Sequence, residues 1–206
     1  MWIPTEVNEK EMKELGMKIS AKDIWDTTKP SIKDAVVQFN GGCTAEIISP
    51  KGLLLTNHHC GYGQIQKHSS VKNDYLTDGF WAKNNGEELS NPGVTVDFIA
   101  DIKDVTAQIL GNTKNLEAKQ AEDVIKNNIE TVTKSFKIEP YQKVVIKPMY
   151  YGNKYYAYII DTYKDVRLVG APPSSIGKFG SDTDNWVFPR HTCLLYTSPS
   201  PRDVEE

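Results

Sequence analysis

Two short β-prone runs and the turn between them leave the chain little freedom over residues 41 to 60. Thr44-Ala45-Glu46-Ile47-Ile48 and Leu53-Leu54-Leu55-Thr56 are separated by Ser49-Pro50-Lys51-Gly52. Ser at the first position, Pro at the second and Gly at the fourth suit a type I turn, so the spacing predicts a hairpin. A hairpin brings its outer ends together, here Gly41-Gly42-Cys43 and Asn57-His58-His59-Cys60. With that pairing Cys43 and Cys60 lie close enough to bridge. A bridge would close a loop of about 18 residues, worth about 3 kcal/mol in the chain-entropy model. It would also fix the backbone beside His59, as a catalytic base requires, because an imidazole must be held within reach of a nucleophile.

Plainer readings of the same residues stay open. A His-His-Cys triplet after a strand also suits a surface turn or a core histidine. A metal reading would recruit His58, His59, Cys60 and Cys43. Adjacent histidines point apart, however, and no second Cys-x-x-Cys or His-x-x-x-His completes a ligand set. The expectation is therefore no metal and no cofactor.

The rest of the chain reads as strands around one helical interruption. Residues 8 to 34 form a lead-in of short helical pieces, with Asn8 and Glu11, Ser20 and Asp23, and Ser31 and Asp34 spaced as loose capping boxes. Ala35-Val36-Val37-Gln38-Phe39 is a strand broken from the hairpin by Gly41-Gly42. Residues 61 to 93, rich in Gly, Asn, Asp and His, read as long loops anchored by Tyr75, Phe80 and Trp81. Val94 to Ile99 is a strand. Over Asn115 to Phe136, Ala121, Ile125, Ile129, Val132 and Phe136 recur at three- and four-residue steps, the pattern of an amphipathic helix. Strands return at Val144-Val145-Ile146, Tyr155 to Ile160 and Val166 to Val169. The fold class expected is mainly β with inserted α.

The 206 residues carry 24 Lys and Arg against 27 Asp and Glu, a formal charge of −3. Without cationic excess a predominantly basic nucleic-acid-binding domain is excluded. No apolar run approaches the roughly 20 residues of a membrane span, and the N-terminus shows no secretion signal. Three cysteines are too few for a disulfide scaffold, although one pair remains possible.

A Cys some 17 positions before a His-Cys pair resembles the histidine loop of chymotrypsin-fold serine proteases. A narrower match is carried by longer stretches: Gly41 to Ile48, Gly52 to Tyr62, Asp165-Val166-Arg167-Leu168-Val169-Gly170-Ala171-Pro172-Pro173-Ser174-Ser175-Ile176-Gly177, and Asp184-Asn185-Trp186 through Pro189-Arg190-His191-Thr192. These resemble the bacterial dipeptidyl-peptidases of the seven and eleven type, over about residues 1 to 192. The resemblance implies a chymotrypsin-like double β-barrel interrupted by a helical segment. Residues 1–104 would hold the lead-in and the first part of that catalytic domain, 105–137 part of the helical insertion, and 138–192 the return to its strands. It implies a secreted enzyme, periplasmic or extracellular, that removes dipeptides from free N-termini and is a homodimer at full length. It places the catalytic histidine at His59, the flanking disulfide at Cys43 and Cys60, and the grip on the substrate's α-amino group at Asn185 and Trp186. An amide oxygen accepts from an ammonium group and an indole face attracts one.

The pattern breaks after His191-Thr192, where the family continues with Gly and the catalytic Asp. Here Cys193 and Leu194 stand, and leucine cannot accept the imidazole proton. No Gly-Asn-Ser-Gly motif supplies a nucleophile, and Ser174 and Ser175 read as loop residues. Residues 193–203 match one reading frame of a transposase adapter, so residues 193–206 read as a non-native tail on an N-terminal fragment. The alternatives are a chymotrypsin-like endopeptidase and a non-catalytic peptide-binding module.

Overall fold

The computed structural model describes residues 3–113, 116–177 and 193–197. Its strands are β1 (Val36–Phe39), β2 (Cys43–Ile47), β3 (Leu53–Asn57), β4 (Phe80–Trp81), β5 (Leu89–Ser90), β6 (Val96–Asp104), β7 (Gln142–Met149), β8 (Lys154–Tyr163), β9 (Arg167–Ala171) and β10 (Cys193–Thr197). Its helices are α1 (Glu9–Glu14), α2 (Ala21–Ile24), α3 (His58–His68), α4 (Tyr75–Asp78), α5 (Thr106–Leu110) and α6 (Ala118–Ser135). The chain is thus mostly antiparallel sheet with some helices, and it divides into two compact units. One comprises Met1–Lys33 and Phe98–Thr162, the other Asp34–Asp97 and Tyr163–Glu206.

In the second unit the strand order is β4-β9-β10-β3-β2-β1, continued by the first residues of β6, with β5 also paired to β9. The hairpin forms where the turn chemistry placed it. Ala45 lies opposite Thr56 and Ile47 opposite Leu54. The Ser49 hydroxyl accepts from the backbone N–H groups of Lys51 and Leu53, and Gly52 takes a φ of 77° that a side chain would resist. Alternation puts Val37, Phe39, Ala45, Leu54 and Thr56 inside. The backbone of Cys193–Thr197 pairs with β3 on one side and β9 on the other, and Leu194 sits opposite Thr56.

One expectation fails here. Residues 61 to 93 are not simply loops, because His58–His68 is an 11-residue helix and Tyr75–Asp78 a short one, with β4 and β5 beyond. Gly61 and Gly63 each disfavour a helix by about 1 kcal/mol relative to Ala, which is why the local sequence reads as loop. Packing overrides that preference: His58, Gly61 and Ile65, at helical spacing, are all buried. The sixth strand also starts and ends later than expected, at Val96–Asp104.

In the first unit, α6 lays Ile125, Ile129, Val132 and Phe136 against Val105, Ile109, Tyr155, Ala157, Val144 and Ile146. The Thr106 hydroxyl accepts from the Tyr155 N–H at 2.9 Å, tying α5 to β8. A second cluster joins the lead-in to the strands through Ile3, Trp25, Ile99, Ile102, Met149, Tyr156 and Tyr158. Ser20 and Asp23 form a capping box, and Asn8 caps α1. Among the described residues no helix is long and apolar enough to cross a membrane.

Candidate active site

The sequence TNHHC crosses from strand to helix, and this crossing separates its two histidines. Strand β3 ends at Asn57 and α3 begins at His58. Successive helical residues point about 100° apart, so one imidazole turns inward and its neighbour outward. His58 is 7% exposed, whereas His59 faces solvent. A disulfide joins Cys43, at the start of β2, to Cys60 in the first turn of α3, with Cα atoms 6.2 Å apart. The Thr56 hydroxyl donates to the Thr44 carbonyl at 2.9 Å, closing the hairpin just before the crossing.

His59 stands directly beside that disulfide. A ring nitrogen of His59 and the sulfurs of Cys43 and Cys60 all lie within 4.8 Å of one another. Such a trio could bind a thiophilic cation only as thiolates. The disulfide uses both thiols, so His59 is the one member left with a ligand lone pair.

His58 has a different task. Its Nε2 lies 3.2 Å from the Ser174 hydroxyl, and its ring meets that of Tyr62 edge-on with centroids 6.0 Å apart. Burial holds the His58 pKa below the usual imidazole range, and the neighbouring His59 adds to the effect. His58 is therefore a buried, hydrogen-bonded group inside the unit, and its burial favours the uncharged ring.

The segment bearing Ser174 is supported from behind. After β9 the chain runs through Pro172-Pro173 into a single 3₁₀ turn, Ser174–Gly177. Gly79, at φ 80°, approaches so closely that an added Cβ would lie 2.8 Å from Pro173 Cδ and 2.9 Å from the Ala171 carbonyl. Phe80 and Trp81 pair with Ala171 and Gly170, and the Trp81 ring occupies the space where a Gly170 Cβ would come within 2.6 Å. At Gly79 the positive φ and the backbone contact leave room only for glycine, and at Gly170 a Cβ would push the Trp81 ring aside.

At the other end of α3 is a cleft of about 310 Å³. There the His68 Nε2 lies 3.0 Å from the Asn91 Oδ1, and the Asn91 amide donates to the Leu89 carbonyl. These contacts satisfy the buried Asn91 within the fold.

The structure thus brings together His59, Cys43 and Cys60. Asn185 and Trp186 lie outside the described residues. Sequence reasoning missed the contact between His58 and Ser174. In the sequence Ser174 has only its place beside two prolines to mark it, and His58 reads as a metal ligand, a turn residue or a core residue.

The sequence profile of the Peptidase S46 family matches residues 1–194. The Asp/Glu-specific dipeptidyl-peptidase of Capnocytophaga gingivalis is 56% identical over 197 residues, covering 93% of this chain and 28% of that protein. Dipeptidyl-peptidase 7 of Phocaeicola vulgatus is 51% identical over 188 residues, covering 88% of this chain and 26% of its own length. The crystal structure of Porphyromonas endodontalis DPP11 in complex with substrate superposes with a TM-score of 0.80 at 45% identity, covering 96% of this chain and 30% of that one. The chain therefore spans under a third of the length of these relatives.

Proposed function

The chain belongs to the Peptidase S46 family, and from that premise we propose that it is the histidine-bearing part of a serine-type dipeptidyl-peptidase that releases dipeptides from free N-termini. The observation that carries the reading is the exposed His59 in the first turn of α3, next to the Cys43–Cys60 disulfide. In the complete enzyme this imidazole takes the proton of a serine supplied by the remaining part of the protein, and returns it to the leaving amine. Asn185 accepts from the substrate's α-ammonium group and Trp186 offers its ring face. Gripping the ammonium sets the second peptide bond at the nucleophile, so binding and positioning come from the same contacts. The catalytic domain is a chymotrypsin-like double β-barrel in a secreted, periplasmic or extracellular homodimer, a setting in which the disulfide persists.

A second reading, a peptide-binding module without turnover, draws support from Leu194. The family's aspartate would stand at this position, which lies opposite Thr56, three residues before His59. Leucine cannot orient an imidazole. We read residues 193–206 as foreign to the native protein, and sequencing the source DNA through residue 193 tests that point. A native frame continuing through the tail would refute it.

The deciding experiment joins residues 1–192 to the aspartate and the serine-bearing remainder of a relative. The product is assayed on dipeptidyl substrates with free and blocked N-termini, with Asp, Glu or an apolar residue second. Cleavage of only the free substrates, abolished by His59→Ala, is the expected result. Cleavage of blocked substrates would favour an endopeptidase, and binding without cleavage would favour the module.

A further inference from the structure

The geometry points to Ser174 as a positioning residue for His59, acting through the hydrogen bond between its hydroxyl and His58. The inference rests on the reading of His59 as the catalytic base. His59 lies between two tethered neighbours. Cys60 is bonded to Cys43 on β2, and His58 meets Ser174 at 3.2 Å. One tether is covalent and the other is a single hydrogen bond.

Burial of Gly61 and Ile65 holds the body of this helix, and its first residues have weaker local support. Asn57, at the N-cap position, makes no side-chain capping bond, so the free N–H groups of the first turn lack the usual support. Gly61 follows at once and Gly63 soon after, and both weaken the helix locally. The turn that carries His58, His59 and Cys60 therefore takes its orientation from its tertiary contacts. The Ser174 side supplies an unusually firm one, because Gly79 is packed against Pro173 and Ala171 without room for a Cβ. Pulling His58 toward that support sets the rotation of the first turn about its axis. The direction in which the next residue leaves the helix is set with it.

Without the Ser174 hydroxyl, the buried His58 Nε2 loses its partner. The ring then reorients to find another, or admits water. The loss of one hydrogen bond, about 1 kcal/mol, leaves the chain folded, but the His59 ring loses its fixed direction. Catalysis is sensitive to such changes, because misplacing a reacting group by about 1 Å can lower a rate about a hundredfold.

The test uses the 206-residue chain with ¹⁵N-labelled histidine, as wild type, Ser174→Ala and Ser174→Thr. The expected result is that Ser174→Ala shifts the ring signals of both His58 and His59, and broadens or splits those of His59, with the near-ultraviolet circular dichroism unchanged. Ser174→Thr, which keeps the hydroxyl, restores the wild-type pattern. In the protein completed as above, Ser174→Ala lowers kcat about tenfold and changes KM less than about twofold. A Ser174→Ala chain in which the His58 signals move and those of His59 do not would overturn the proposal, as would failure of Ser174→Thr to restore them. If the completed protein shows no peptidase activity, the functional reading fails, while the ring signals still decide whether Ser174 positions His59.

Discussion

All four histidines and all three cysteines of the chain lie in the segments Asp34–Asp97 and Tyr163–Glu206, and none in Met1–Lys33 or Phe98–Thr162. Buried polar groups follow the same division. Among the described residues, Thr56, His58, Asn91 and Asp97 are the buried polar or charged side chains, and all four belong to the second unit. The first unit buries Ile109, Val132, Ala157 and their neighbours, and its Tyr156 hydroxyl is satisfied by Glu6 and Lys154. Burying a polar group costs free energy unless every bond is made. The second unit carries that burden in the sheet and helix that hold its catalytic candidate, and the first combines an apolar core with hydrogen bonds such as that from the Tyr155 N–H to Thr106.

The sharpest way to break this comparison is to damage the apolar unit and watch the polar one. Ile109 is fully buried against α6. Ile109→Ala should lower unfolding free energy by about 2–5 kcal/mol in denaturant titrations. The ring signals of His58 and His59 should stay in place. If they move, the apolar unit helps to orient the site and the division of labour is wrong.

Removing the disulfide acts on the other unit. Cys43→Ser combined with Cys60→Ser frees a segment of sequence separation 17, and the expected loss is about 3 kcal/mol. Added reductant should reproduce the loss in the wild-type chain and leave the double variant unchanged. A variant as stable as wild type would show that the hairpin contacts alone hold Cys60 in place.

The hairpin that makes this bridge possible was legible because its signals are local: Ser49, Pro50 and Gly52 determine the turn, and period-2 alternation determines the faces. The helix α6 was legible for a similar reason, since Ile125, Ile129, Val132 and Phe136 recur at its own period. Helix α3 was not, because Gly61 and Gly63 speak against it and only tertiary burial of His58 and Ile65 decides for it. The contact of His58 with Ser174 spans 116 residues, and no spacing within either segment encodes it. The exposed position of His59 follows from the helix start, so it too stayed hidden while residues 61 onward read as loop.

A smaller effect is expected from Thr56→Val, which keeps shape and deletes the bond to the Thr44 carbonyl. The loss should be about 1 kcal/mol by denaturant titration. A neutral result would mean that the Thr44 carbonyl is satisfied without the hydroxyl and that this buried polar group is not essential to the hairpin.

The smallest effect is a proton linkage, and the comparison fixes where it must arise. Two partly buried groups of the second unit, His58 and Glu88, carry shifts that act in mildly acidic solution. Burial lowers the His58 pKa, so below about 6.5 the unfolded chain binds more protons than the folded one. Stability from this group is full above that pH and falls as the pH drops toward the folded-state value. Glu88 opposes it. Burial raises its pKa despite the nearby Arg167, so its contribution is full below about 4.3 and falls as the pH rises through the folded-state value. Two groups of one unit thus give opposite slopes in mildly acidic solution. Thermal melts of His58→Gln should lose the fall on the acid side of neutrality, and those of Glu88→Gln should lose the opposing one. A slope that survives unchanged in His58→Gln would mean that the burial of His58 against Ser174 does not set it.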